Sequence, residues 1–460
     1  MAETSGGDSE SAKAAEGPTP PELPRILSLR DATMLVVSSV IGVGIFLTPG
    51  GVAKLLPHPG WFCAAWLAGG VLALAGALAN AELGAMFPRA GGNYVYLRAA
   101  YHPMAGFLVG WLSFFAIFAG TVATLALGFT ISLSSFVTLT PTTKLIVAIL
   151  VIWIATIVNA YATKAGARLN TITGYAKVAA LIVLVFIGPI IGHGRAAESP
   201  LVSSGTATFS GFGVALSPVI FSYLGWNASV YVAGEIDKPG RNLPRSLFWG
   251  LGICTAFYLL VNATYIYALG MEKLVGMPAV GFQAGKVLFG PKGSDVVAAM
   301  MLVSIFGCLN ANVLVGPRIA YAMASDGLFF RAAARLSKRS QTPWIAVVVQ
   351  AVMATALVLI FDDLPRALDY TTFAIVLATL ADTSALYVLR VRDPDRPRPY
   401  RAAGYPWVPA LYILANLAIA FSMVRARPVE CLTSLGVLLA GAPVYLLFVA
   451  RRQGAPWSKR

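Results

Sequence analysis

Two short motifs could expose backbone hydrogen-bonding groups inside apolar stretches of the chain. Residues 38–46 read SSVIGVGIF within an apolar run over residues 32–56, and residues 221–227 read FSYLGWN. Glycine costs about 1 kcal/mol relative to alanine inside a helix, and serine hydroxyls compete for backbone groups. Non-helical backbone survives at membrane depth only where protein buries it or where it lines a polar cavity. The pair therefore predicts two broken membrane helices that bind a small polar molecule; the alternative is that the glycines only allow close helix packing.

Two ionisable side chains fall deep inside predicted membrane helices. Lys177 lies about nine residues beyond Arg168, roughly 13 Å into its helix, and a lysine at the bilayer centre costs about 2.5–3.5 kcal/mol. Asp382 lies about eight residues from the inner end of another helix. Each side chain must face protein or water rather than lipid. Lys177 is predicted either to tether backbone carbonyls or to take part in ion coupling, and Asp382 either to pair with a polar group or to carry a coupled proton.

The composition is that of a polytopic membrane protein. Of 460 residues, 57% are hydrophobic and only 12% are charged, against about 25% charged residues in soluble domains. The formal net charge of +14 comes from basic residues that concentrate in alternate loops and tails, which is the pattern of cytoplasmic loops. The charge therefore indicates topology rather than a nucleic-acid surface, and no nucleic-acid partner is expected.

Twelve apolar stretches reach the length of about 20 residues that a helix needs to cross a bilayer. An even number of spans places both termini on one side, and the basic loops mark that side as cytoplasmic. We therefore expect a multi-pass protein of the cell membrane with both termini in the cytoplasm. The predicted helices cover approximately residues 31–56, 62–87, 101–131, 143–162, 168–192, 211–234, 244–269, 293–324, 341–361, 366–390, 404–424 and 431–451.

The positions of the two motifs divide the chain into halves of five helices each. The first motif lies in helix 1, which starts inside, and the second lies in helix 6, which starts outside, so a pseudo-twofold axis in the membrane plane would relate the halves. The predicted organisation is a disordered cytosolic tail over residues 1–29, a first inverted repeat over 30–192, a second over 211–390, two additional helices over 404–451, and a C-terminal tail over 452–460.

Motifs of other functional classes are missing from the sequence. It contains no HExxH, no CxxC, no Walker A run and no Ser/His/Asp grouping at the helix ends, so neither an enzyme nor a metal or other cofactor is expected. The four cysteines are expected to be apolar packing residues. A channel or a receptor would need a continuous polar helix face or a large external domain, and neither is visible.

Several motifs in order resemble the amino acid–polyamine–organocation superfamily. Residues 221–227 and the segment after them are similar to its helix 6–7 signature, with a GWN core like that of the L-type amino acid transporter branch. The resemblance extends over about residues 30–450 and implies an all-α LeuT-like fold. That fold has twelve transmembrane helices in a 5+5 inverted repeat, with broken helices 1 and 6 plus two additional helices, and it transports amino acids. The other similar motifs are residues 42–46 with Pro49; Glu82, Pro88, Gly91, Gly92 and Tyr94; Gly316, Pro317 and Arg318; and Arg398, Pro399, Tyr400 and Arg401.

The resemblance implies that the substrate is held mainly by backbone groups. The N–H groups of Gly42, Val43 and Gly44 would bind the carboxylate of an amino acid at the positive end of a half-helix. Carbonyls near Ile41, Phe221 and Tyr223 would accept from its ammonium group.

Side chains near the second motif would then set the substrate range. Phe221 aligns with an aromatic gate of the L-type branch. Leu224 stands where that branch commonly has glycine, and Val43 replaces a small polar residue, so small or medium neutral L-amino acids are expected. Gly225 completes the predicted site, and Asn227 is expected either to hydrogen-bond across the break or to join neighbouring helices.

The resemblance also bears on coupling and partners. Lys177 matches a lysine whose amine stands in the place of a sodium ion, so a sodium-independent exchanger or a proton-linked carrier is expected; cationic amino acid or polyamine transport is the alternative. The external loop over residues 131–142 contains no cysteine, so no covalent heavy chain is predicted. The protein is expected to act as a monomer or a homodimer.

Overall fold

A computed structural model describes residues 25–161, 163–192, 209–338, 341–361 and 363–452. Within these ranges, eleven helices are long and apolar enough to cross a membrane, and a shorter apolar helix lies at the sixth predicted span. Most of the predicted N-terminal tail (1–29) and C-terminal tail (452–460) falls outside the described residues.

All twelve predicted spans are helical in the described part of the chain, and we label them α1 to α12 in order. Apolar stretches of this length satisfy their backbone groups internally as helices. The bounds are Leu29–Val40 with Gly44–Leu47 and Pro49–Leu55 (α1), Pro59–Met86 (α2), Pro103–Leu133 (α3), Pro141–Tyr161 (α4), Thr163–Ile182 continuing to Ile191 (α5), Phe209–Tyr223 with Ala228–Tyr231 (α6), Pro239–Leu269 (α7), Gly293–Ser325 (α8), Trp344–Phe361 (α9), Leu364–Arg392 (α10), Trp407–Ala426 (α11) and Pro428–Arg452 (α12).

The first helix is broken where the glycine motif predicts. Segment Leu29–Val40 ends at Ile41, whose ψ of 86° is not helical. The chain becomes helical again at Gly44 and continues outward through the Pro49–Leu55 segment. The predicted break in α1 is confirmed.

The sixth helix is broken in the same way. Its first part ends at Tyr223, and Gly225 has a φ of +98°, a conformation that glycine adopts without the steric penalty of other residues. The helix resumes over Ala228–Tyr231 and gives way to a single turn of 3₁₀ helix at Ala233–Glu235. The predicted break is confirmed, and it shortens the helical part of the span that was predicted over 211–234.

The bounds of α7 differ from the prediction. The helix begins at Pro239 rather than near residue 244. Proline is favoured at the first helical position because its fixed φ suits the helix and its missing N–H has no helical acceptor there. Pro244 lies inside the helix instead of starting it.

The broken helix α1 lies at the centre of the bundle. Its Leu29–Val40 segment packs against α5, α7 and α8, and its outer half packs against α6. Every residue from Ala32 to Val40 is buried. Helices α11 and α12 pack at the edge against α10 and expose large apolar side chains such as Leu414 and Leu432, as lipid-facing helices do.

Candidate substrate-binding site

The two helix breaks lie directly against each other. A Cβ atom at Gly225 would come within 2.7 Å of Ser39 O, and one at Gly44 within 2.7 Å of Ser222 Oγ. These distances are shorter than real Cβ contacts, so both glycines are required by the close approach of the two backbones. The Thr48 and Ser222 hydroxyls, 3.1 Å apart, add a side-chain contact between the same two segments.

Tyr258 on α7 joins the two breaks and was not found by sequence reasoning. Its hydroxyl oxygen lies 2.9 Å from Val40 O and 2.8 Å from Ser222 O. The residue is fully buried, and its single hydroxyl proton is shared between carbonyls of α1 and α6. A tyrosine in the middle of an apolar helix was the available signal, because a buried tyrosine hydroxyl usually has a hydrogen-bond partner.

Lys177 satisfies carbonyl groups at the break in α1. Its Nζ donates to Ser38 O at 2.6 Å and to Ile41 O at 2.9 Å. Ser304 Oγ on α8 also donates to Ile41 O, at 2.9 Å. A carbonyl oxygen has two lone pairs, and both lone pairs of Ile41 O accept hydrogen bonds from protein donors in this structure.

Cys308 has a polar role as well as a packing role. Its Sγ lies 3.0 Å from Ser39 O, one turn along α8 from Ser304. The expectation that every cysteine only fills apolar space is therefore wrong for Cys308, because a carbonyl freed by the break needs a donor and the thiol supplies a weak one.

A cavity opens beside the two breaks, between α1, α3, α6, α8 and α10. Seven of the predicted site residues line it: Gly42, Val43, Gly44, Phe221, Leu224, Gly225 and Asn227. The other lining residues are Ser39, Val40, Ile117, Phe118, Thr121, Thr124, Leu125, Ser222, Ala228, Tyr231, Cys308, Asn312, Leu368, Thr371, Thr372, Ile375, Ala378 and Thr379.

Four predicted residues lie outside this lining. Ile41 and Lys177 lie behind it, bonded to each other as described above. Tyr223 is buried against α2, where its hydroxyl donates to Trp66 O at 3.0 Å. Asp382 is 1% exposed and lies one turn beyond the lining residue Thr379 on α10, and neither of its carboxyl oxygens has a hydrogen-bond partner among the described residues.

Hydroxyl groups on α3 and α10 form a polar wall that sequence reasoning missed. Thr124 and Thr371 donate to carbonyls of their own helices, which leaves their oxygens able to accept. The buried hydroxyls of Ser39 and Thr372 have no partner among the described residues. Threonines at helical spacing on α3 and α10 were the available signal, since such residues often interact between membrane helices.

Ion pairs close the molecule on the side of the loop over residues 393–406, which we call the basic side. Glu82 accepts from Arg390 Nε at 2.9 Å, from Arg390 Nη2 at 2.7 Å and from Ala402 N at 2.6 Å. Arg398 Nε lies 3.2 Å from the same carboxylate. Together these contacts join α2, α10 and the loop.

A second ion pair joins α8 to the segment after α6. Arg318 donates from Nε to Glu235 Oε1 at 2.8 Å and from Nη2 to Glu235 Oε2 at 3.2 Å, and both side chains are buried. The chain before α1 binds to the same segment after α6. Leu27 N donates to Glu235 O at 2.8 Å, and Asp237 N donates to Leu27 O at 2.9 Å. The cavity is thus separated from the basic side by a layer of paired charges.

Comparison with known proteins agrees with this arrangement. Residues 27–446 match the family described as amino acid permease. The chain belongs to the amino acid permease family. It is therefore an amino acid transporter of the amino acid–polyamine–organocation superfamily and not an enzyme, and the all-α LeuT-like fold class is confirmed.

Transporters of several kinds are similar over nearly the whole chain. The serine/threonine exchanger SteT of Bacillus subtilis is 30% identical over 92% of this chain and 96% of its own length. The large neutral amino acids transporter small subunit 2 of Rattus norvegicus is 29% identical over 96% of this chain and 84% of its own. The b(0,+)-type amino acid transporter 1 of Homo sapiens is 27% identical over 98% and 93%, respectively.

Proposed function

We propose that this permease carries small or medium neutral L-amino acids by alternating access, with the cavity between the two helix breaks as its binding site. The observation that carries the proposal is the contact between the breaks, because it brings backbone groups of both polarities to one cavity. A zwitterion needs an anion site and a cation site about one amino acid backbone apart. The helical start at Gly44 offers N–H groups, and the end of the first part of α6 offers carbonyls.

The substrate carboxylate would bind at Gly42, Val43 and Gly44. The N–H of Gly42 donates to Val40 O at 2.8 Å, so it would contribute only after that hydrogen bond is released. The ammonium group would bind on the α6 side, at the carbonyl of Phe221, which lines the cavity. The carbonyl of Tyr223, which lies outside that lining, would contribute only after the break in α6 moves. The Phe221 carbonyl accepts one hydrogen bond, from Leu224 N at 3.0 Å, so one lone pair remains. Ile41, which the sequence also suggested, already accepts two hydrogen bonds and would contribute only after Lys177 or Ser304 moves.

Side chains around the cavity would select small neutral substrates. Val43 and Leu224 occupy space beside the backbone site, and Phe221 would cover the substrate as a gate. The buried hydroxyls of Ser39 and Thr372 offer partners to a polar side chain, and one relative is named a serine/threonine exchanger. Asn227 Nδ2 donates to Tyr231 Oη at 3.4 Å, within the second part of α6. The side-chain oxygen of Asn227 would hydrogen-bond across the break, which Gly225 shapes.

Cationic amino acids and polyamines fit the cavity less well. No acidic side chain is among the described residues that line it, and a second positive charge on the substrate would have no counter-charge there. Desolvating an unpaired charge is costly.

Lys177 and Asp382 are the proposed coupling residues. The ammonium of Lys177 already occupies carbonyls at the break in α1, so a sodium ion is not needed there, and we propose sodium-independent transport. Asp382 lies between the cavity and the layer of ion pairs, without a hydrogen-bond partner among the described residues. In a proton-linked carrier it is our candidate for the group that carries the proton.

The membrane, the topology and the partners of the protein are proposed from its loops. Basic loops on one side favour the cell membrane with both termini cytoplasmic. The loop over residues 131–142 has no cysteine, and we propose that the protein acts as a monomer or homodimer without a covalent heavy chain. A disulfide-linked complex on a non-reducing gel would contradict this.

Uptake into proteoliposomes tests the proposed function. Purified protein should take up radiolabelled serine or threonine, faster with internal amino acid or an inward proton gradient, and equally well in sodium and choline buffers. Arginine and putrescine should compete poorly. No uptake or exchange of any neutral amino acid under these combinations would overturn the proposal, and an absolute requirement for sodium would overturn its coupling.

A further inference from the structure

A groove between α2 and α7 opens on the basic side, away from the substrate cavity. Leu74 and Leu78 line it on the α2 side, and Phe248 and Trp249 line it on the α7 side. Tyr400, from the loop before α11, lies at its rim. Neither the transport cycle proposed above nor the ion-pair layer uses this groove.

Two arginines at the mouth of the groove have no side-chain partner among the residues that the structure describes. Arg241 and Arg245 line it and are exposed, and no side-chain hydrogen bond or ion pair to either is found in the described part of the chain. Arg318, Arg390 and Arg398 on the same side are all paired with Glu82 or Glu235. The two free cations are four residues apart on a helix, so they lie side by side on one face.

The face of α7 below these arginines is apolar and exposed. Phe248 and Trp249 are 54% and 57% exposed and lie roughly 10 Å deeper than Arg241 at 1.5 Å per residue. A Cβ atom at Gly252, the next exposed position, would meet no other atom within 4 Å. The groove therefore changes from cationic to aromatic to open apolar surface along the direction from water into the membrane.

We propose that this groove binds an anionic phospholipid. The headgroup phosphate would lie between Arg241 and Arg245, and one acyl chain would lie between Leu74 and Leu78 on one wall and Phe248 and Trp249 on the other. Basic pockets between membrane helices on the cytoplasmic side bind anionic headgroups, and the basic side is the one proposed above to be cytoplasmic. The apolar walls below the arginines fit an acyl chain, which a fully hydrophilic anion lacks.

The proposed lipid would contact elements that close the basic side. α7 begins directly after the segment that carries Glu235, and Tyr400 belongs to the loop whose Arg398 lies 3.2 Å from Glu82 Oε1. A lipid in the groove would hold α2, α7 and this loop together. It would therefore stabilise the purified protein.

The experiment measures the melting temperature and lipid adducts of the full chain in detergent. Phosphatidylglycerol should raise the melting temperature and remain bound in native mass spectrometry, whereas phosphatidylcholine and inorganic phosphate should do neither. Each basic residue near an anionic surface contributes about fivefold in affinity, so the R241Q/R245Q double variant should bind phosphatidylglycerol about 25-fold more weakly. Each single variant should bind it about fivefold more weakly.

A matched control removes the same charge elsewhere on the basic side. Arg331 and Arg335 are also exposed and lie outside the groove, so R331Q/R335Q should keep the response to phosphatidylglycerol. Equal responses to both lipids, a response to phosphate alone, unchanged binding by the arginine variants, or an equal loss in the control would each overturn the proposal. None of these outcomes bears on substrate uptake, which is assayed separately in phosphatidylcholine liposomes.

Discussion

Lys177 replaces hydrogen bonds that the break in α1 removes. In an unbroken helix Gly42 N would donate to Ser38 O, but here it donates to Val40 O at 2.8 Å. The lysine ammonium takes the free carbonyl instead. A charged side chain is retained at membrane depth because the broken backbone offers it acceptors that lipid cannot.

Replacing Lys177 by methionine should therefore destabilise the protein and strongly reduce uptake. The change keeps most of the side-chain volume but leaves Ser38 O without a donor, and an unsatisfied buried polar group costs about 1–3 kcal/mol. We expect a lower melting temperature and at least about a tenfold loss of serine uptake, since that loss corresponds to only 1.4 kcal/mol. Lys286→Met, at an exposed lysine, is the control; equal behaviour of the two variants would contradict the assigned role.

Leu224 should limit substrate size. Replacing it by glycine removes a side chain that lines the cavity, and the position lies outside the helical parts of α6, so the backbone should tolerate the change. We expect leucine and phenylalanine to inhibit serine uptake more strongly in the Leu224→Gly variant, by at least about tenfold, the lower end of what one methylene equivalent of space is worth. Inhibition constants in proteoliposomes measure this, and an unchanged rank order would show that Leu224 does not set the range.

At the scale of elements, the contact between the two breaks depends on glycine at particular positions. Gly44 and Gly225 allow α1 and α6 to touch, whereas Gly42 has its nearest outside neighbour, Cys308 Sγ, 3.6 Å from a Cβ position. The glycines of the first motif are therefore not equivalent. Gly44 is required by packing, and Gly42 contributes mainly to the surface of the cavity.

This difference predicts that one alanine variant loses stability and the other does not. Gly44→Ala would place Cβ 2.9 Å from Ser222 Cα and force the helices apart, at a cost of about 1–3 kcal/mol. Gly42→Ala makes only ordinary van der Waals contact and should melt close to the wild type. Thermal unfolding in detergent compares the two, and a Gly44→Ala variant as stable as Gly42→Ala would contradict the packing described here.

The sequence predicted elements better than it predicted their contacts. Residues 38–46 and 221–227 carry glycines whose effect is local, so both breaks could be placed from composition alone. The partners of the freed carbonyls could not, because Tyr258, Ser304 and Cys308 come from helices distant in sequence. Their hydroxyl and thiol groups have no periodic pattern that marks them. Thr372 and the rest of the polar wall were missed for a different reason. A threonine in an apolar helix usually bonds to its own backbone, so helical spacing of threonines does not by itself mark a site.

At the scale of the whole molecule, the cavity and the ion-pair layer are arranged along α10. Its lining residues run from Leu368 to Thr379, Asp382 follows one turn later, and Arg390 pairs with Glu82 at the basic end. Opening the basic side would require Arg390 and Arg318 to leave their carboxylates. A group between the cavity and these pairs is well placed to link substrate binding to that opening.

Replacing Asp382 by asparagine tests this link. The amide is neutral and of similar size, so the fold and amino acid exchange should be retained. If the wild type responds to an inward proton gradient, the Asp382→Asn variant should lose that acceleration, because no proton can be taken up or released at this position. Counterflow and gradient-driven uptake of serine are the two measurements. Acceleration that persists in the variant would exclude Asp382 as the coupling group.

The central claim is that main-chain groups at the two breaks bind both ends of a free amino acid. Isothermal titration of the purified protein with serine, N-acetylserine and serine amide examines it directly. We predict that serine binds and that blocking either end weakens binding at least about 100-fold, which corresponds to 2.8 kcal/mol. Blocked serine that binds as tightly as the free amino acid would contradict the account.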